Sequence, residues 1–321
     1  MRVPNPQSPI PNPQSRLAFT LVEMLVVIAI IGILAALLVP ALGAAIRRSK
    51  IAAISLEMNN LSNAFEAYKS KYTEYPPDFS DRAAVQAHIR KAFPRNTLNL
   101  NPNLTDTTSW YFTYPWLGSV PSGTVDPKTL DPAEALVFWL RAIKNNPRNP
   151  LDIDNVHPNT AYVVDGVGDP VSFFEFDETR LIDIDKDGWP EYASAHSRET
   201  PYVYFDGRIM GGTYQYATAV YPPSGSDTGF GVTRPYRSNT AIDSRDNGRT
   251  VPSASPNTTQ WMDAAKFQIL CAGLDNDFGP DLFASGGLLK QFPDPNYQLS
   301  DEDMDNLASF SDGDTIGDSQ P

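Results

Sequence analysis

The stretch AFTLVEMLVVIAIIGILAALLVPAL, Ala18 to Leu42, contains one ionisable side chain, Glu23. Uncharged residues then run without interruption from Met24 to Ile46, 23 positions in all. A helix rising ~1.5 Å per residue over that run spans roughly 30 Å, the thickness of a bilayer's hydrocarbon. Secretory signal peptides have a shorter apolar region, about 7–15 residues. Buried helices of soluble proteins rarely stay apolar on every face. A membrane helix over residues 24–46 is therefore the expected element.

A carboxylate inside such a helix costs about 2.5–3.5 kcal/mol on insertion scales, less near the interface. Glu23 either snorkels to the headgroups or has a cationic mate. No cation lies within the span. Cleavage before Phe19 would create one, an α-amino group four residues upstream. Residues 1–15 repeat PNPQS and hold five prolines, so they read as a leader ahead of the apolar run, not as part of a packed core.

Phe19, Thr20, Leu21, Val22 and Glu23, with Gly32 and Pro40 farther along, resemble the prepilin signal of type IV pilins and type II secretion pseudopilins. The resemblance covers about residues 16–75. It implies a leader of residues 1–18, cut by a prepilin peptidase after Ala18, and N-methylation of Phe19. Ala18 stands where the family usually has glycine, and slower cleavage is expected from the larger side chain. The resemblance further implies that Glu23 pairs with the Phe19 amine of a neighbouring subunit as pilin subunits polymerise on an inner-membrane assembly platform. An ion pair of that kind sets register more than it adds net stability. The N-terminus would be cytoplasmic and the head periplasmic or on a surface filament. That orientation comes from the family alone, because Arg47, Arg48 and Lys50 follow the span while only Arg2 and Arg16 precede it. Pro40 removes a backbone donor and is expected to kink or locally melt the helix.

After the basic cluster, Ile51, Ile54, Met58, Leu61, Phe65, Tyr68 and Tyr72 recur every three or four residues. That is one apolar stripe of an amphipathic helix over residues 47–75, suited to docking on a sheet of the same chain. The prolines of YPPDF (Tyr75 to Phe79) are expected to end it. A head over residues 76–321 follows, with helices expected at Ser80–Phe93 and Asp131–Ile143, the second capped by Asp131 with Glu134 three positions on. Strands are expected in AYVVDG, VSFFEF, RLIDID, PYVYFDG, TYQYATAVY and KFQILCAG, where Phe267, Ile269 and Cys271 share a face. Strands and helices do not alternate, so the expected class is α+β, a pilin-like long helix packed on an antiparallel sheet. Residues 222–256, rich in Gly, Ser, Pro and Thr, read as loops. The aromatic run Trp110–Trp116 reads as core or a lid over core.

A net charge of −13 with no basic stripe argues against a nucleic-acid partner. Cys271 is the only cysteine, so no internal disulfide is possible. Two acidic segments suggest calcium. DIDKDGWPE places Asp183, Asp185 and Asp187 two apart before a glycine, with Glu191 as a further oxygen ligand. Asp275 and Asp277, with Asp301, Asp303 and Asp305, resemble the C-terminal calcium loop of major pseudopilins, where an ion staples the last loop. An ordinary solvated acidic turn or tail is the alternative for each. Phosphate-cradling, metalloprotease and nucleophile-elbow motifs are all missing, and His88, His157 and His196 lie in unrelated contexts, so no catalytic function is expected. Two function classes stay open: a filament subunit, and a membrane-anchored extracytoplasmic ligand-binding protein that does not polymerise.

Overall fold

Thr20 and Glu23 start the first helix by capping each other. In the computed structural model Glu23 N donates to Thr20 Oγ1 at 3.2 Å, while Thr20 N donates to Glu23 Oε2 at 2.8 Å. Two of the amides that a helix start leaves unpaired are satisfied this way. Helix α1 (Leu21–Tyr72) then runs for 52 residues. The structure describes residues 20–79, 82–96, 112–113, 124–125, 130–141, 143–144, 150, 170–182, 190–196, 200–207, 219–220, 232–238, 261–263, 265–280, 290–294 and 299–320.

Of the kink or local melting expected at Pro40, the melting does not occur: α1 continues through it. Proline lacks one donor but its fixed φ is helical, and the rest of the ladder holds the segment. Nor does α1 reach Tyr75. Thr73, at φ 71°, turns left-handed and its N–H bonds back to Lys69 O at 2.7 Å, so the helix closes before the prolines act. Pro76 and Pro77 serve instead as acceptors. Tyr204 Oη donates to Pro76 O at 2.6 Å and Trp139 Nε1 to Pro77 O at 2.7 Å.

Contacts divide the chain into two units, Met1–Arg48 and Ser49–Pro321. In the first, every described residue is helical or adjoins the helix and is exposed. The second is the head. Its share of α1 buries Ile51, Ile54, Met58, Leu61, Ala64, Phe65 and Tyr68, the expected stripe with Ala64 added and Tyr72 half-buried.

The other helices among the described residues are α2 (Arg82–Ala92), α3 (Pro132–Arg141), a single 3-10 turn (Glu178–Arg180) and a short C-terminal helix, α4 (Asp301–Asp305). Strands are short: β1 (Phe112–Thr113), β2 (Thr124–Val125), β3 (Ile143–Lys144), β4 (Pro170–Val171), β5 (Leu181–Ile182), β6 (Glu191–Tyr192), β7 (Val203–Asp206), β8 (Ala219–Val220), β9 (Val232–Thr233), β10 (Arg237–Ser238), β11 (Phe267–Cys271), β12 (Gln291–Phe292) and β13 (Leu307–Ala308). The fold class is α+β. The central sheet has the order β13-β11-β7, antiparallel throughout. Its two faces bury different cores. Phe267, Ile269 and Cys271 of β11, with Tyr202 and Tyr204, join α1, α2 and α3 in the larger cluster. Leu270, Val203 and Phe205 face a second cluster with Tyr236, Phe278, Phe292 and Ile316. Phe65 of α1 lies on the sheet, stacked on Tyr204 with centroids 4.1 Å apart.

Several sequence expectations need correction. Helix α3 stops at Arg141, and Ile143 begins β3 in place of ending the helix. VSFFEF gives only Val171 to a strand; Phe174 and Phe176 turn their rings onto Tyr192. The segment expected to be all loop contains β9 and β10, and β10 pairs in parallel with β12, a two-residue exception to the antiparallel rule. AYVVDG lies outside the described residues, as does most of the Trp110–Trp116 run.

Candidate functional site

The site with a mechanism behind it is the first turn of α1 and the apolar surface that follows. Ala18 and Phe19 lie outside the described residues; Glu23 and the helix after it do not. The Glu23 carboxylate folds back on its own chain, where Oε2 accepts from both the N–H and the hydroxyl of Thr20, at 2.8 and 2.9 Å. Thr20 thus belongs to the site alongside Glu23. Its signal in the sequence was the Thr-x-x-Glu capping pattern ahead of an apolar run. Beyond it Leu21, Ile28, Ile33, Leu38 and Val39 stand 64–80% exposed. This helix is long and apolar enough to cross a membrane. Side chains so apolar and so uncovered require lipid, other helices or both.

The prokaryotic N-terminal methylation motif matches residues 14–39. The chain carries a prepilin-type signal. Comparison with curated proteins and with solved structures gives no match. The motif covers the start of α1 and the residues just before it, with Ala18, Phe19, Thr20 and Glu23 all inside it. This motif is the prepilin signal found in type IV pilins and pseudopilins, and the match is confined to these 26 residues.

The proposed calcium ligands fall partly outside the described residues. Asp183, Asp185 and Asp187 lie outside the described residues, and Glu191 is fully buried on β6. Asp275 Oδ1 accepts from Asp277 N at 2.9 Å, and Asp277 Oδ1 from Gly279 N at 2.8 Å, forming consecutive turns. Asp301 is exposed in the first turn of the short helix Asp301–Asp305. Asp303 is buried against the ammonium of Lys290, 2.5 Å from its Oδ1. At Asp303 the cation in contact is a lysine ammonium. Among the described residues, no group of three or more His, Cys, Asp or Glu could hold a metal ion. Asp275 still feels its neighbours. Burial, with the charges of Asp305, Asp277 and Glu302, pushes it up to about 6 despite the Asp277 N–H.

Two polar networks in the head went unforeseen. Glu57, between Ile54 and Leu61 on the buried face of α1, receives Arg180 Nη1 at 2.8 Å and a second bond from Nη2. Tyr202 donates to its other side at 2.8 Å and Tyr192 at 3.0 Å. The Arg180 guanidinium also lies over the Tyr192 ring, 4.4 Å from its centroid. Burial alone would raise Glu57, but the bonds from Arg180, Tyr202 and Tyr192 win and hold it below the ordinary carboxylate value. The available signal was a carboxylate three residues from one stripe position and four from another. Its partners, more than a hundred residues away in sequence, left no local trace.

The second network is centred on His88, buried between Tyr68 Oη at 2.8 Å and Glu74 Oε1 at 2.7 Å, with Lys91 on the far oxygen of Glu74. It ties α2 to the end of α1. Cys271 is buried, and burial pushes its thiol up to about 12, which suits a small core residue and not a nucleophile.

Proposed function

We propose that the protein is a structural subunit of a type IV pilus-like or type II secretion pseudopilus filament. In this reading a prepilin peptidase removes residues 1–18, the Phe19 amine is methylated, and subunits leave the inner membrane by packing their apolar helices side by side. The observation that carries it is the coincidence of the methylation motif, residues 14–39, with a helix whose apolar side chains are uncovered. Glu23 is the switch point. Before assembly its carboxylate is held by Thr20, which offers an N–H and a hydroxyl but no charge. A neighbour's Phe19 ammonium is a stronger partner in lipid, because a charge-assisted bond gains most where water is absent. Exchange of one for the other fixes the axial step between subunits. Related pilin subunits, the peptidase and the assembly platform are the partners this reading requires.

Glu23→Ala tests it. The variant is expected to insert in the membrane at wild-type level and to form no filaments. Native protein should show a mature chain beginning at N-methylated Phe19. Filaments formed equally well by the alanine variant would sink the assembly mechanism and favour a monomeric, membrane-anchored binding protein.

A further inference from the structure

Lys290 and Asp303 are 2% and 0% exposed, a charged pair closed off from water. Lys290 immediately precedes β12, and Asp303 is the third residue of the short C-terminal helix. Lys290 Nζ lies 2.5 Å from Asp303 Oδ1, yet Oδ1 accepts no aligned hydrogen bond. The ammonium is directed instead to Phe278 O, also at 2.5 Å. Asp303 Oδ2 is held from the other side by two donors, Ser300 N and Ser300 Oγ, both at 3.0 Å. Gly279, at φ +79°, leaves room for the carboxyl: a Cβ there would fall 2.7 Å from Asp303 Cγ. The buried rings of Tyr236 and Phe278 belong to the same core.

We propose that this pair is a site of covalent modification, an intramolecular amide cross-link between Lys290 Nζ and Asp303 Cγ. Keeping two full charges dry is costly, which favours passing one proton from Nζ to Oδ1 to give a neutral amine beside a neutral acid. The nitrogen lone pair then attacks Cγ. Negative charge develops on Oδ2, where the Ser300 N–H and hydroxyl already point, an arrangement that stabilises such an oxyanion. The nitrogen gives a second proton to Oδ1, the Cγ–Oδ1 bond breaks, and water leaves. Ammonium and carboxylate have become an amide and one water, with no other reactant. Fixed contact replaces a bimolecular encounter and supplies the effective concentration. The product would fasten the C-terminal helix to β12 in a chain whose single cysteine allows no disulfide.

Peptide mapping by high-resolution mass spectrometry on the full chain purified in detergent tests this. Trypsin is expected not to cut after Lys290, leaving residues 267–321 as one peptide lighter by one water. A chymotryptic cut after Tyr297 should leave its two halves joined. Lys290→Met should restore the unmodified mass, and if that variant does not fold, the wild-type map decides alone. Normal cleavage after Lys290 with full mass overturns the proposal. So does loss of ammonia with the link on Asn306, whose Nδ2 shares the Phe278 carbonyl at 3.3 Å. Loss of water confined to the half containing Asp303, a cyclic imide, overturns it as well.

Discussion

Replacing Glu57 by Gln keeps the volume of the side chain and removes its charge, leaving Arg180 with Asp177, at 3.6 Å, as a charged partner and with its bonds to Ala193 O and the Tyr192 hydroxyl. Arg180 and Glu57 side chains are 12% and 15% exposed, so neither is free to re-solvate fully. Breaking a buried ion pair by removing one partner costs about 3–5 kcal/mol, and bonds to charged groups about 1.5–3 kcal/mol each. Partial exposure and the bonds glutamine can still accept from Tyr192 and Tyr202 bring the expected loss to about 2–3 kcal/mol. For a domain of this size, that is a fall in Tm of roughly 5–10 °C. The assay is thermal unfolding of the full chain in detergent, followed by near-ultraviolet circular dichroism of the head's aromatics. Because Glu57 titrates below its ordinary value of 4.5, its contribution is fully present above that value and disappears as pH falls through the folded pKa. The gap between wild type and variant should thus be constant at neutral pH and close in acid. Adding Arg180→Met should recover part of the loss, since no orphan charge then remains buried. A Tm within about 1 °C of wild type at pH 7 would refute the reasoning and reduce the network to a surface-type contact.

Phe65→Ala removes a fully buried ring stacked on Tyr204 and should cost about 3–5 kcal/mol, read by denaturant titration; a loss below about 1 kcal/mol would mean the helix does not pack on the sheet as described. Gly313 sits at φ +93° with the place of a Cβ 2.9 Å from Ser55 Oγ, so Gly313→Ala should destabilise by about 1–3 kcal/mol, a loss Ser55→Ala does not rescue because the backbone strain persists. Asp275→Asn should stabilise the protein in the opposite pH sense to Glu57. With its pKa raised to about 6, the ionised Asp275 weakens the fold as pH rises through that value, so the variant should melt above wild type at pH 8 and match it at pH 4. Equal melting at both pH values would remove the carboxylate crowding inferred around it.

The apolar helix over residues 24–46 was legible because lipid is a uniform solvent: length and the absence of charge suffice to recognise a segment that fits it. The same holds for the stripe from Ile51 to Tyr68, since helical period alone places those side chains on one face. The capping boxes of α1 and α3 are local and could be read from four residues each; Asp131 N reaches Glu134 Oε2 at 2.6 Å as the spacing requires. The alternation along β11 likewise assigned Phe267, Ile269 and Cys271 to one face. Tertiary structure alone decided the rest. Asp303 looks like a metal ligand in a run of acids until Lys290 is brought against it. Glu57 looks like a solvated charge until Arg180 and two tyrosines converge on it. Periodicity and capping are encoded between neighbours in the chain, whereas the partner of a buried charge is fixed only when distant segments pack and water is excluded from between them.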